Sequence, residues 1–107
     1  MAQNFVKSKL KTSKVTMFEK PTCAFCIRAK GILKKYKFKA GHLEIIDIYK
    51  LDFISSLQQY FMETTGERTV PRIYIEEKCI GGCSDLVPLE NSGELEKALQ
   101  SIGALRD

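Results

Sequence analysis

Residues 14–48 constrain the fold of this chain more than any other stretch. Lys14 to Glu19 reads as a strand, with Val15-Thr16-Met17-Phe18 supplying β-favouring bulk. Pro21-Thr22 breaks it. From Cys23 to about Tyr36, the residues Phe25, Ala29, Ile32, Leu33 and Tyr36 recur at helical spacing. Gly31 lies inside that helix and weakens it by about 1 kcal/mol relative to Ala. After a turn at Gly41, Leu43-Glu44-Ile45-Ile46-Asp47-Ile48 forms a dense apolar strand, the kind buried on both faces of a mixed sheet. Two strands joined by a helical crossover pair in parallel, and the connection is right-handed.

The remaining segments add to this unit. Residues 4–10 predict a short helix with Phe5, Val6 and Leu10 on one side. A helix over about 53–65 carries an apolar stripe of Leu57, Tyr60 and Phe61, read as core, and Gly66 suits its C-terminal cap. Arg72-Ile73-Tyr74-Ile75 alternates as a strand. Glu76-Glu77-Lys78 would turn it back through Cys79-Ile80, although the turn lacks Gly or Asn. Ser84 is expected to cap the next helix, with Asp85 favourable in its first turn and Pro88 keeping it short or irregular. Residues 92–102 close the chain as an amphipathic helix with Leu95, Ala98, Leu99 and Ile102 inward. The expectation is one α/β domain over residues 1–107, a four-stranded mixed sheet flanked by helices.

Charge divides the chain. Residues 1–40 hold ten lysines and Arg28 against Glu19 alone, a net +10, whereas residues 41–107 hold a net −6. The first reading is a solvated lysine-rich face; the sharper one is a basic face that draws anions toward Cys23. Nucleic acid is not expected as a partner, since the lysines lack interleaved aromatics or a recognisable nucleic-acid module. No apolar run approaches the ~18–20 residues of a membrane span, and the start has no charged region followed by an apolar stretch. The expected setting is reducing and cytoplasmic, without membrane association.

In such a setting four cysteines point to redox or metal chemistry rather than structural bridges. Cys23-Ala24-Phe25-Cys26 puts one sulfur at a helix start. There the free N–H groups and the positive end of the helix dipole, with Lys20 three residues earlier, favour the thiolate. Only the thiolate attacks a disulfide. Cys26 sits one turn in and is less exposed. Cys23 is therefore the candidate nucleophile and Cys26 the resolving thiol. Zinc is the competing reading, with Cys79-x-x-x-Cys83 as the second half-site. However, 52 residues separate the two pairs, against about 15–20 in a zinc ribbon, and no metal is expected. Cys79 and Cys83 are read as small, partly buried residues whose oxidation depends on exposure, and His42 as a surface residue.

Two further segments fit a thiol site. A cis bond at Val70-Pro71, after Thr69, would turn the Val70 backbone outward to pair with an extended, peptide-like substrate. In Gly81-Gly82-Cys83-Ser84-Asp85, the glycines allow close approach of a ligand. Ser84 and helix-start amides suit a carboxylate, and Asp85 suits an ammonium group.

Together, Lys20-Pro21-Thr22-Cys23-x-Phe25-Cys26, Thr64-Thr65-Gly66-x-Arg68-Thr69-Val70-Pro71-Arg72 and Cys79-Ile80-Gly81-Gly82-Cys83-Ser84-Asp85-Leu86 resemble the glutaredoxins, or thioltransferases. The likeness covers nearly the whole chain and is nearest to the vertebrate cytosolic dithiol type. It implies a thioredoxin-like fold, glutathione as co-substrate, and reduction of protein–glutathione mixed disulfides and small disulfides. It implies glutathionylated proteins as partners, the glutathione reductase system indirectly, and a monomer. By motif, Lys20, Gln58 and Arg68 would hold the glycine carboxylate of glutathione. Val70 would pair with its cysteinyl backbone, Ser84 and Asp85 with its γ-glutamyl end, and Phe25, Thr69, Pro71 and Gly82 would complete the groove.

Three departures stand out. Ala24 replaces the usual proline, a change associated in the broader family with a glutathione-ligated [2Fe–2S] dimer formed through Cys23; that is the alternative function. Glu19 replaces an apolar residue and, if it faced the site, would oppose Lys20 at Cys23. Glu76-Glu77 replaces a glycine-containing turn.

Overall fold

Strand β1 (Val15–Glu19) is the centre of the molecule, and all five of its residues are buried. The computed structural model describes every residue, 1–107. Helix α1 (Ala2–Lys9) precedes β1, and α2 (Ala24–Lys34) carries the chain across to β2 (Leu43–Asp47). A 3-10 turn (Ile48–Lys50) and α3 (Ile54–Thr65) lead to the hairpin β3 (Arg72–Ile75) and β4 (Lys78–Gly81). Helices α4 (Cys83–Ser92) and α5 (Glu94–Ser101) finish it. The sheet order is β2-β1-β3-β4. β1 runs parallel to β2 and antiparallel to β3, and β3 is antiparallel to β4.

Each face of the sheet carries its own core, because successive side chains of a strand point to opposite sides. Val15, Met17 and Ile73 pack with Cys26, Ala29 and Leu33 of α2, Leu86 of α4, and Leu95 and Leu99 of α5. Phe18 and Tyr74 pack on the other face with Val6 of α1 and Leu57 and Phe61 of α3. Tyr60, read as core with them, is only half-buried at the margin of this cluster.

Several expectations are corrected. β2 is not buried on both faces: it is an edge strand, hydrogen-bonded on one side only, and all of its residues are half-buried. Phe25 leaves the α2 stripe and is 64% exposed; Cys26, one position on, takes the inward place. Gly82, not Ser84, is the N-cap of α4. Its N–H donates to the Asp85 carboxylate at 2.9 Å, so the cap is formed from the third helical residue backward. Pro88 does not shorten α4, which runs ten residues to Gly93. The proline is exposed, so its ring projects into solvent. Gly93, in the left-handed region at φ 83°, separates α4 from α5.

The hairpin turns at Glu76-Glu77 without glycine, and Glu76 takes φ 55°. Its side chain and backbone hold it there: the Ser13 N–H donates to its carboxylate at 2.7 Å, and its own N–H donates to the Lys14 carbonyl at 2.8 Å. His42 is half-buried rather than a free surface residue. Its ring Nδ1 lies against the Ser13 carbonyl, and its carbonyl accepts from the Val15 N–H at 2.9 Å.

Candidate active site

The end of β1 and the start of α2 place the two cysteines. Cys23 is the N-cap of α2, with extended backbone at φ −87° and ψ 126°, and is half-exposed. Desolvation alone would push its thiol up. The Cys26 amide and thiol, the Phe25 amide and the Lys20 charge outweigh it and hold Cys23 below the ordinary cysteine value. The amides face the sulfur without closing a formal capping hydrogen bond. Cys26 moves the other way. It has no exposed surface, and burial is the main force that pushes its thiol up to about 11. The Lys20 amide offsets part of this. The hydrogen bond to Cys23 and the negative charges of Cys23 and Glu19 reinforce it. Both sulfurs are free thiols in this structure.

Glu19 therefore bears on Cys26, not on Cys23 as the sequence suggested. It is buried at the end of β1 and pairs with Lys30 of α2 at 2.7 Å.

A cleft of about 140 Å³ opens beside the pair. Phe25 forms one wall, the Thr69-Val70-Pro71 loop a second, and Gly82 and Ser84 a third. The Val70–Pro71 bond is cis. A larger, more polar cleft of about 610 Å³ adjoins it, sharing Ser84 and adding Asp85. Space is tight at Gly82: a Cβ there would stand 2.9 Å from Arg72 Nη2 and 3.2 Å from the Pro71 carbonyl, so Arg72 would have to shift.

Six of the expected ligand-binding residues, Phe25, Thr69, Val70, Pro71, Gly82 and Ser84, thus share one cleft, and Asp85 its neighbour. Lys20, Gln58 and Arg68 line neither. Lys20 is exposed and stands 5.1 Å over the Tyr49 ring, where its charge still reaches Cys23. Gln58 is half-exposed on α3, and Arg68 is exposed in the loop before β3.

Sequence reasoning missed Glu67 and Arg72, which line both clefts, and Cys83, which lines the smaller one. Arg72 is only 4% exposed. It donates from Nε to the Pro71 carbonyl at 3.2 Å and from Nη1 to Thr65 Oγ1 at 3.4 Å, and pairs with Glu67 at 3.5 Å. A charged residue at the head of an otherwise apolar strand was the available signal.

The Glutaredoxin family profile matches residues 15–80, from β1 into β4, which include two of the three cleft walls. The chain belongs to the glutaredoxin family. It is 50% identical over 106 residues to human Glutaredoxin-1, covering 99% of this chain and all of that protein. Among solved structures it is similar to oxidised glutaredoxin 2 from Chlamydomonas reinhardtii, at TM-score 0.86 and 31% identity, over 97% of this chain and 95% of that one. A buckwheat glutaredoxin–glutathione complex matches at TM-score 0.87 and 27% identity, over 99% and 94%. As a glutaredoxin, this chain is a thiol–disulfide oxidoreductase with a thioredoxin-like fold. None of its helices is long and apolar enough to cross a membrane.

Proposed function

We propose that the protein reduces protein–glutathione mixed disulfides and low-molecular-weight disulfides in the cytoplasm, as a monomer, with glutathione as co-substrate. The observation that carries this reading is the opposite displacement of two closely spaced thiols beside a cleft: Cys23 downward, Cys26 upward. Cys23 is the nucleophile because its surroundings favour the thiolate and it is half-exposed. It attacks the glutathione sulfur of the mixed disulfide. The bond to the protein sulfur breaks, and the protein thiolate leaves and takes a proton from water. A second glutathione thiolate attacks the glutathione sulfur now on Cys23, giving oxidised glutathione and restoring the Cys23 thiolate. With disulfides that lack glutathione, Cys26 attacks Cys23 instead and leaves the pair oxidised.

In this reading the Val70 backbone pairs with the cysteinyl part of glutathione, and Ser84 and Asp85 take its γ-glutamyl end. Phe25, Thr69, Pro71 and Gly82 shape the cleft between them. Lys20, Gln58 and Arg68 form a polar margin for the glycine carboxylate. The bound glutathione of the buckwheat relative supports the choice of ligand. Measuring the rate of mixed-disulfide reduction in single variants tests the roles. Cys26→Ser should retain it and Cys23→Ser should lose it; full activity in both would overturn the assignment.

A further inference from the structure

Glu19 ends β1 and is 5% exposed. It continues the alternation of Val15 and Met17, which face the core that contains Cys26. Its carboxylate is thereby directed to the sheet face on which α2 lies. Its counter-ion there is Lys30, with Nζ 2.7 Å from Oε1, four residues beyond Cys26 and so on the same side of the helix. The pair does not form a well-directed hydrogen bond, and Oε1 is buried with no other partner. Lys20, next in the chain, has the opposite parity and is exposed. An ion pair with a buried carboxylate and a half-buried ammonium therefore lies on the side of the inner thiol, while an exposed cation stands near the outer one. The reaction at Cys23 makes no use of this pair.

We propose that the Glu19–Lys30 pair determines which thiol resolves a mixed disulfide held on Cys23, by setting the charge against which Cys26 must attack. The inference rests on Cys26 being the resolving thiol. When Cys26 resolves, its S–H gives up its proton, which the departing glutathione takes up, and its sulfur carries negative charge toward Cys23. The Cys23–Cys26 bond forms, the bond from Cys23 to glutathione breaks, and glutathione leaves as a thiolate. When glutathione resolves, the attacking charge comes from solvent onto the glutathione sulfur, and no charge develops at Cys26. Only the first branch meets the Glu19 carboxylate, which opposes it, and the Lys30 ammonium, which relieves that opposition. Around Cys26 the groups that bear on this charge are Cys23 and the Lys20 amide from the loop and Glu19 from β1, with Lys30 of α2 acting through its pairing with Glu19.

The test uses the full chain carrying one glutathione on Cys23. Closure to the Cys23–Cys26 disulfide is followed by mass spectrometry at neutral pH, alongside the reaction with added glutathione. Glu19→Gln should speed closure about fivefold and Lys30→Gln slow it about fivefold, as removal of one nearby charge predicts. Reaction with added glutathione should change less than about twofold in either variant. Lys30→Arg, which keeps the charge, should retain the unaltered rate. A purely structural pair would move both Gln variants in the same direction, and that result, or no change in either, overturns the proposal. If Glu19→Gln does not fold, the two Lys30 variants decide alone. Failure of the unaltered protein to close at all is a separate result, and it would remove Cys26 as the resolving thiol and this inference with it.

Discussion

Helices α2 and α4 both begin at a cysteine from a closely spaced pair. Cys23 caps α2 and is half-exposed, whereas Cys83 is the first residue of α4 and 4% exposed. Both sulfurs stand where a helix offers free N–H groups, so position alone does not separate them. Occupancy does. At α2 the amides of Phe25 and Cys26 face the Cys23 sulfur, and Lys20 adds its charge. At α4 the capping partner is the Asp85 carboxylate, bonded to the Gly82 N–H, and Cys83 is folded into the core. The partners differ as well. Cys26 packs on the same sheet face as Cys23, while Cys79 and Cys83 belong to cores on opposite faces. A helix start makes a reactive thiol only when no side-chain oxygen has claimed it and the sulfur keeps access to solvent.

The largest effect that would break this comparison comes from exchanging each leading sulfur for oxygen. Cys23→Ser should abolish mixed-disulfide reduction with little loss of stability. Cys83→Ser should keep the reaction and lose about 1–3 kcal/mol, the cost of placing a hydroxyl in an apolar core, read by urea unfolding. If Cys83→Ser loses activity as fully as Cys23→Ser, the two helix starts are not distinct.

The pH dependence of alkylation sharpens the contrast inside the α2 pair. With iodoacetamide, Cys23 should react at pH values below those of an ordinary cysteine. Cys26, pushed up to about 11, should stay unreactive until strongly alkaline pH. The linked stability follows in sign. Cys26 binds its proton more tightly folded than unfolded, so its contribution is present below the unfolded value of 9.0 and is lost as pH rises through about 11. Cys23 is the reverse: its contribution is present above the unfolded value and is lost as pH falls through its lowered one. A urea midpoint that rises steadily through the alkaline range would contradict the Cys26 assignment.

Asp85→Ala tests the cap of α4. It removes the acceptor of the Gly82 N–H and should cost about 1 kcal/mol of stability, without moving the alkylation profile of Cys23. The smallest effect is expected from Ala24→Pro. Ala24 is the first residue of α2 and Cys23 before it is already extended, so proline fits both positions. It should stabilise the protein by about 0.5 kcal/mol through the unfolded chain, seen as a shifted unfolding midpoint. A destabilised variant would show that the first turn of α2 is less regular than described.

Most elements were legible in the sequence, because each has a strong local period or a firm stop. The parallel pairing of β1 and β2 followed from the crossover, and the β3–β4 hairpin from its short connection. Burial was less legible. Leu43–Ile48 reads as a dense apolar run, yet β2 within it forms the edge, while β1, with Thr16 and Glu19, is the buried centre. Strand order depends on which long-range pairs form, and no local pattern encodes it. The cleft was partly legible: its glycines, the Val70-Pro71 peptide and Ser84 stand in recognisable motifs. Arg72 and Glu67 do not, because their place comes from the packing of β3 against the loops around it.

By itself, the sequence determined that Cys23 starts a helix, that Cys26 follows one turn inside it, and that Lys20 precedes both. Those relations are local and survive any packing. Only the tertiary structure decided that Cys26 loses all contact with solvent, that Glu19 faces Cys26 rather than Cys23, and that Asp85 occupies the other cysteine-led helix start. Each depends on which face of which element meets another, and that is set by the assembled sheet and the two cores packed against it.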